Sequence, residues 1–212
     1  MSNLTAFLTR VMMYLEQMVW LAIPSGIIVL CFWPYRKRAL AAMKRKTNFL
    51  RETALLIFVM TVFSILAVTL RPFVSWSEDA GMWGDLTVHI HRSSLWENVN
   101  LQPFYMLRIF KACVNLGDVV YILINFVGNM WVFVPMGFFP ALLFRNGSWL
   151  RSTAIGAGFS ALIEFGQYFI MRNTDIDDVI LNTMGALMGY WLYWLLKKVL
   201  PGFAARFQCA KM

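Results

Sequence analysis

The sequence predicts an all-α fold: a polytopic helical bundle in a membrane, with about five transmembrane helices and one further helix lying along the outer interface. Composition and pattern both predict it. Hydrophobic residues make up 59% of the 212, aromatic residues 16% and charged residues only 14%, whereas a soluble domain gives about a quarter of its residues to charge. Mean hydropathy is +0.61. The apolar residues gather into runs that approach or exceed the ~20 residues a helix needs to cross ~30 Å of hydrocarbon, at ~1.5 Å per residue.

Five such runs are expected to span: residues 14–33, 53–70, 119–144, 152–171 and 178–200. The first is preceded only by Arg10 and runs into basic residues without a small-residue cleavage pattern, so it is expected to remain as an anchor. The third is long enough to tilt or break, and Gly128, Pro135, Gly137 and Pro140 offer places to do so. In the fifth, Gly185 and Gly189 have the small-xxx-small spacing that lets backbones approach closely, and Gly156, Gly158 and Gly166 offer the same to the fourth.

Orientation follows from Lys and Arg. Arg36, Lys37, Arg38, Lys44, Arg45, Lys46 and Arg51 cluster between the first two runs, and Lys197, Lys198, Arg206 and Lys211 lie at or beyond the end of the last. Basic loops stay cytoplasmic, which predicts an outer amino terminus and a cytoplasmic carboxyl terminus. The net charge of +8 is thereby assigned to anionic headgroups rather than to nucleic acid. Cys31, Cys113 and Cys209 are odd in number and scattered over different regions, which argues against a disulfide framework.

Residues 71–118 leave the hydrocarbon yet carry Trp76, Trp83 and Trp96, rings that favour the headgroup layer. Within this loop Phe104, Leu107 and Phe110, with Tyr105 and Met106 beside them, alternate with Arg108 and Lys111 at helical spacing. That predicts an amphipathic interfacial helix starting at Pro103. His89 and His91 would share one side of a strand, but two histidines without a third ligand make a weak metal signal.

The chemistry-bearing residues lie in the last three runs. An ionisable side chain in hydrocarbon costs at least a few kcal/mol, so Glu164 is a candidate site residue. Counting rise per residue across an antiparallel pair puts Asn129 level with Glu164, and Asn125 level with Gln167 and Tyr168. Asn182 falls at a similar height. Above these two polar layers Arg172, Asp175, Asp177 and Asp178 form a rim. The architectural alternative for the rim is strong: Asp175 would cap the fifth helix, Asp178 would be its reciprocal capping partner, and all three carboxylates suit a helix amino terminus.

Four stretches in order then resemble the VanZ-like membrane proteins of bacteria: Asn100-Leu101-Gln102-Pro103-Phe104, residues 125–137, residues 160–167, and residues 172–189 with Asp-Ile-Asp-Asp-Val-Ile-Leu-Asn-Thr-Met-Gly-Ala-Leu-Met-Gly. The resemblance divides the chain into residues 1–99, an amino-terminal two-helix region with a basic loop and an external loop; residues 100–200, the VanZ-like domain; and residues 201–212, a tail. It implies a bacterial cytoplasmic membrane, and drug tolerance, since the family's namesake is associated with resistance to teicoplanin and related lipoglycopeptides.

Two functions from different classes follow. One is a binding protein whose partners are membrane lipids, a lipoglycopeptide or a cell-wall lipid precursor, held by Asn125, Asn129, Gln167, Arg172, Asp175, Asp178 and Asn182. The other is an enzyme acting on a lipid-linked phosphate, with Glu164 and Asp177 as catalytic groups and the Asp175/Asp177/Asp178 cluster holding a divalent cation. No Ser-His-Asp arrangement, phosphate-cradling glycine loop or histidine in the polar layers accompanies the carboxylates, which favours binding. A transporter would need an inverted repeat that a homo-oligomer could supply. The residues point to no particular cofactor.

Overall fold

The computed structural model describes residues 3–70, 74–77, 85–88, 99–144, 147–170, 172–208 and 210–211. The all-α expectation holds. Helix α1 (Asn3–Ala42) precedes α2 (Phe49–Thr69), then come α3 (Tyr105–Leu116) and α4 (Val119–Ile122), which passes through a π-helical segment (Leu123–Gly128) into α5 (Asn129–Leu143). Helices α6 (Trp149–Phe169), α7 (Ile176–Val199) and the short α8 (Pro201–Ala205) follow. Three described helices are long and apolar enough to cross a membrane: α2, the continuous run Val119–Leu143, and α7. Of the other two expected spans, residues 14–33 fall within α1, and residues 152–171 follow α6 as far as Phe169. Helix α6 has 21 residues, but Arg151, Glu164 and Gln167 dilute its apolar character.

Side-chain caps set several helix starts. Asn48 accepts from Arg51 N–H at 2.9 Å ahead of α2, and Ser148 accepts from Arg151 N–H at 3.3 Å ahead of α6. Each satisfies one of the amides that a helix start leaves without a partner. The third run, expected to tilt or break, continues without a break from Val119 to Leu143. Pro135 and Pro140 lie inside α5, while the irregularity is the π-helical segment that ends at Gly128.

Helices α5 and α7 make the most extensive helix contact in the fold, and their glycines explain it. A Cβ on Gly185 would lie 2.0 Å from the Met130 carbonyl oxygen, one on Gly189 1.9 Å from that of Val134, and one on Gly137 1.7 Å from that of Ala186. The backbones touch, so only a hydrogen fits. Gly156 brings α6 against the same place, where its Cβ would lie 2.3 Å from Ala186 Cβ, and Gly166 faces Leu70. Gly158 faces open space, so its expected packing role is not met. Phe133, Met136, Ile163 and Ile65 fill the centre between α2, α5 and α6, and Ala141, Leu142, Leu143, Tyr193 and Phe207 fill one end.

That end also gathers the basic loop and the tail. Strand β1 (Arg45–Lys46) pairs antiparallel with β6 (Ala210–Lys211), and Asn48 Nδ2 donates to the Arg206 carbonyl at 2.6 Å. Glu52, buried, accepts from Arg36 at 2.8 Å, from Arg51 at 3.1 Å and from the Thr47 hydroxyl. The loop after α2 contains a hairpin that the sequence did not announce, β2 (Val74–Ser77) antiparallel to β3 (Asp85–Val88). Trp76 falls in β2; Trp83, Trp96, His89 and His91 lie outside the described residues.

Candidate functional site

At the opposite end, β4 (Val99–Asn100) pairs parallel with β5 (Thr174–Asp175), and the pairing Asn100↔Asp175 brings the segment ahead of α3 to the start of α7. Asp175 is the amino-terminal cap, as expected: one carboxylate oxygen accepts from Asp177 N–H at 2.9 Å. Its other oxygen accepts from Asn100 Nδ2 at 3.0 Å. Glu164, only 6% exposed on α6, accepts from Asp175 N–H at 2.9 Å, and its backbone carbonyl accepts from the Thr174 hydroxyl at 3.3 Å. The Glu164 side chain thus takes up a backbone donor next to the α7 amino terminus, where a carboxylate also meets the favourable end of the helix dipole.

Asp177 goes further. It is 2% exposed, and its two oxygens accept from Phe104 N–H and Met106 N–H, each at 2.6 Å. These amides belong to the start of α3, whose own cap residue, Phe104, has φ 64° and offers no side-chain cap. A carboxylate from α7 therefore caps a helix more than seventy residues earlier. The interfacial helix was expected to begin at Pro103. It begins at Tyr105, because Phe104 turns into the left-handed region, disfavoured for a side chain but held here by the two charge-assisted bonds.

Helix α3 carries three stripes. Met106, Ile109 and Cys113 are its less exposed positions, and Phe110 meets Phe126 edge-on at 5.2 Å. Leu107, Phe110 and Val114 form an exposed apolar stripe, while Arg108, Lys111 and Asn115 form an exposed polar one. The amphipathic reading of this segment is what the coordinates show.

The deeper polar residues pair, but not as counted. Asn129 Nδ2 donates to Asp178 at 2.8 Å, so Asp178 joins α5 rather than completing a capping box. Asn182 Nδ2 donates to the Ser160 hydroxyl at 2.9 Å, and Gln167 Nε2 to the Thr69 carbonyl at 3.1 Å. Asn125 Nδ2 donates to the Tyr121 carbonyl of its own helix at 3.0 Å. Asn125 lies inside the π-helical segment, whose i→i+5 bonding departs from the regular helix that the depth count assumed. Arg172 follows α6 half-buried, with its backbone N–H donating to the Gln167 carbonyl at 3.0 Å.

Two acceptors in this region, Gln167 Oε1 and Asn182 Oδ1, are buried without a hydrogen-bond partner. Both have unspent capacity for a donor. By contrast Asp175 and Asp177 use both oxygens on amide donors within the chain. Among the described residues no three of His, Cys, Asp and Glu come together in a way that could hold a metal ion, the expected Asp175/Asp177/Asp178 cluster included. Sequence reasoning gave no role to Asn100, Ser160 or Thr174. All three did lie in stretches that carried the family resemblance, Asn100 in the first, Ser160 in the third and Thr174 in the fourth.

Comparison with known proteins agrees with that resemblance. The sequence model of the VanZ/LLP1 family matches residues 55–197, reaching back from the site through most of α2. A similar curated protein is Protein VanZ of Enterococcus faecium, 29% identical over 102 residues, which cover 48% of this chain and 55% of the relative. The chain therefore matches about half the length of that relative. No solved structure matches it.

Proposed function

The chain belongs to the VanZ/LLP1 family, and from that premise we propose that it is a bacterial cytoplasmic-membrane protein that binds lipid, or the lipid tail of a teicoplanin-type drug, at the outer membrane face and so contributes to lipoglycopeptide tolerance. The observation that carries this reading is the placement of α3. Asp177 pins its amino terminus over the polar cluster, which leaves Leu107, Phe110 and Val114 exposed beside Arg108 and Lys111. An exposed apolar stripe with a basic flank suits an amphiphile with an acyl chain and an anionic group. The expected topology, amino terminus outside and carboxyl terminus inside, would put this helix on the outer face.

The alternative, a membrane-embedded enzyme for a lipid-linked phosphate, is less well supported. Both Asp177 oxygens hold backbone amides, and one oxygen of Glu164 serves the Asp175 amide. Carboxylates so engaged are poorly placed to exchange protons with a substrate.

The test measures binding of teicoplanin, and of a glycopeptide lacking the lipid tail, to purified protein in lipid nanodiscs, alongside susceptibility of deletion and wild-type cells. Preferential binding of the tailed drug, weakened by Leu107→Lys, together with greater susceptibility of the deletion strain, is the expected result. Equal binding of the two drugs with equal susceptibility of the two strains overturns the proposal.

A further inference from the structure

A groove of about 920 Å³ runs along the carboxyl-terminal half of α7, lined by Trp131 of α5, Trp149 of α6, and Leu187, Tyr190, Trp191 and Trp194 of α7. It lies towards the end of α7 remote from Asp177, and nothing in the proposed function uses it. Trp131, Trp149, Trp191 and Trp194 are each half or more exposed (65%, 57%, 58% and 50%). The tight α5–α7 packing at Gly185 and Gly189 allows no large side chain between these helices, so the tryptophans project around the seam rather than into it. The groove is of a size that holds a substantial apolar ligand.

Its polar feature is at the rim. Lys198 Nζ lies 5.1 Å from the centroid of the Trp194 ring, one helical turn beyond the groove wall, and Lys197 is beside it in the last turn of α7. From Tyr190 to Val199 there is no acidic residue, and no lining residue carries a carboxylate. Two lysines in the last turn also suit the helix dipole, but that role does not require the tryptophans. Tryptophans at one end of a span mark the headgroup level, and a basic residue at the mouth of an apolar cleft between spans is the arrangement that selects anionic headgroups.

We infer that this groove binds an anionic glycerophospholipid, with an acyl chain against the tryptophan rings and the headgroup phosphate at Lys198. Charge complementarity favours this occupant over a zwitterionic lipid. A second copy of the chain would bring a second Lys197–Lys198 pair against the first across a symmetric contact, which like charges oppose.

The test uses the full chain in nanodiscs of phosphatidylcholine with a minor fraction of phosphatidylglycerol, either lipid brominated in its acyl chain, reading tryptophan quenching and the lipids retained in native mass spectrometry. Brominated phosphatidylglycerol is expected to quench more than brominated phosphatidylcholine at equal fraction. Lys198→Gln is expected to lower the preference about fivefold, the worth of one lysine beside an anionic headgroup, and Trp194→Leu to lower the retained lipid. The double variant Arg45→Gln, Lys46→Gln, in the basic loop, is expected to leave the preference unchanged. Equal quenching by the two lipids, loss of preference in the loop variant but not in Lys198→Gln, or a dimer cross-linked through Trp191→Cys each overturns the inference.

Discussion

Replacing Asp177 by Asn tests the link that docks α3 on the bundle. In the structure the carboxylate accepts two amide hydrogens at 2.6 Å, from Phe104 and Met106. Bonds to a charged acceptor contribute about 1.5–3 kcal/mol each. Asn keeps one acceptor without the charge and turns an NH2 towards the second donor, so about 2–3 kcal/mol of docking is lost. Because α3 is mostly exposed, the amides released would find water, and the expected result is undocking of α3 rather than unfolding of the bundle. Cys113, buried on the inner stripe of α3, reports it. In a Cys31→Ser, Cys209→Ser background in detergent, Asp177→Asn should raise the rate of Cys113 labelling by a water-soluble maleimide roughly 30- to 150-fold. Asp178→Asn, which takes the charge from the acceptor of Asn129 and touches no α3 amide, should not. Labelling no faster than in the unsubstituted protein, with the melting transition unchanged, refutes the capping argument.

Glu164→Gln keeps an acceptor for the Asp175 amide and should retain both fold and drug tolerance, whereas Glu164→Leu leaves that amide buried and should cost about 1–3 kcal/mol in unfolding measured in mixed micelles; loss of tolerance in a fully stable Glu164→Gln protein would restore the acid-base reading. Asn182→Leu combined with Ser160→Ala removes both partners of a buried bond and should leave stability within about 1 kcal/mol, while abolishing ligand binding if Asn182 is a ligand contact; unchanged binding would reduce the pair to packing. Glu52→Ala strands Arg51, which is 8% exposed, without its carboxylate, and should destabilise the bundle by about 3–5 kcal/mol. A stability loss no larger than that of Lys37→Ala would contradict this.

Much of the architecture was legible because membrane burial writes it in composition. Apolar runs of span length marked α2, the Val119–Leu143 run and α7, and the spacing of Gly185 and Gly189 announced a backbone contact that the structure places against Met130 and Val134. The cap at Asp175 was readable because capping is local. The pairing of polar residues was not. Depth counting assumes a regular helix, and the π-helical segment at Leu123–Gly128 broke that assumption for Asn125. Nor could spacing reveal that Asp177 serves α3, since that contact depends on how two distant segments are brought together by the short β4–β5 pairing. The sequence raised Asp177 as a functional residue for its charge; the coordinates give that charge a second employment, as acceptor for a distant backbone.

The distance along the chain between Asp177 and the amides it holds sets an order of events during biosynthesis. Phe104 and Met106 precede it by 73 and 71 residues, and ribosomes add about 5–20 residues per second. For roughly 4 to 15 seconds the nascent α3 segment is made but has no acceptor for its first turn. Newly synthesised molecules therefore pass through a stage in which this segment is open to proteases and chaperones, and a truncation before residue 177 would trap them there.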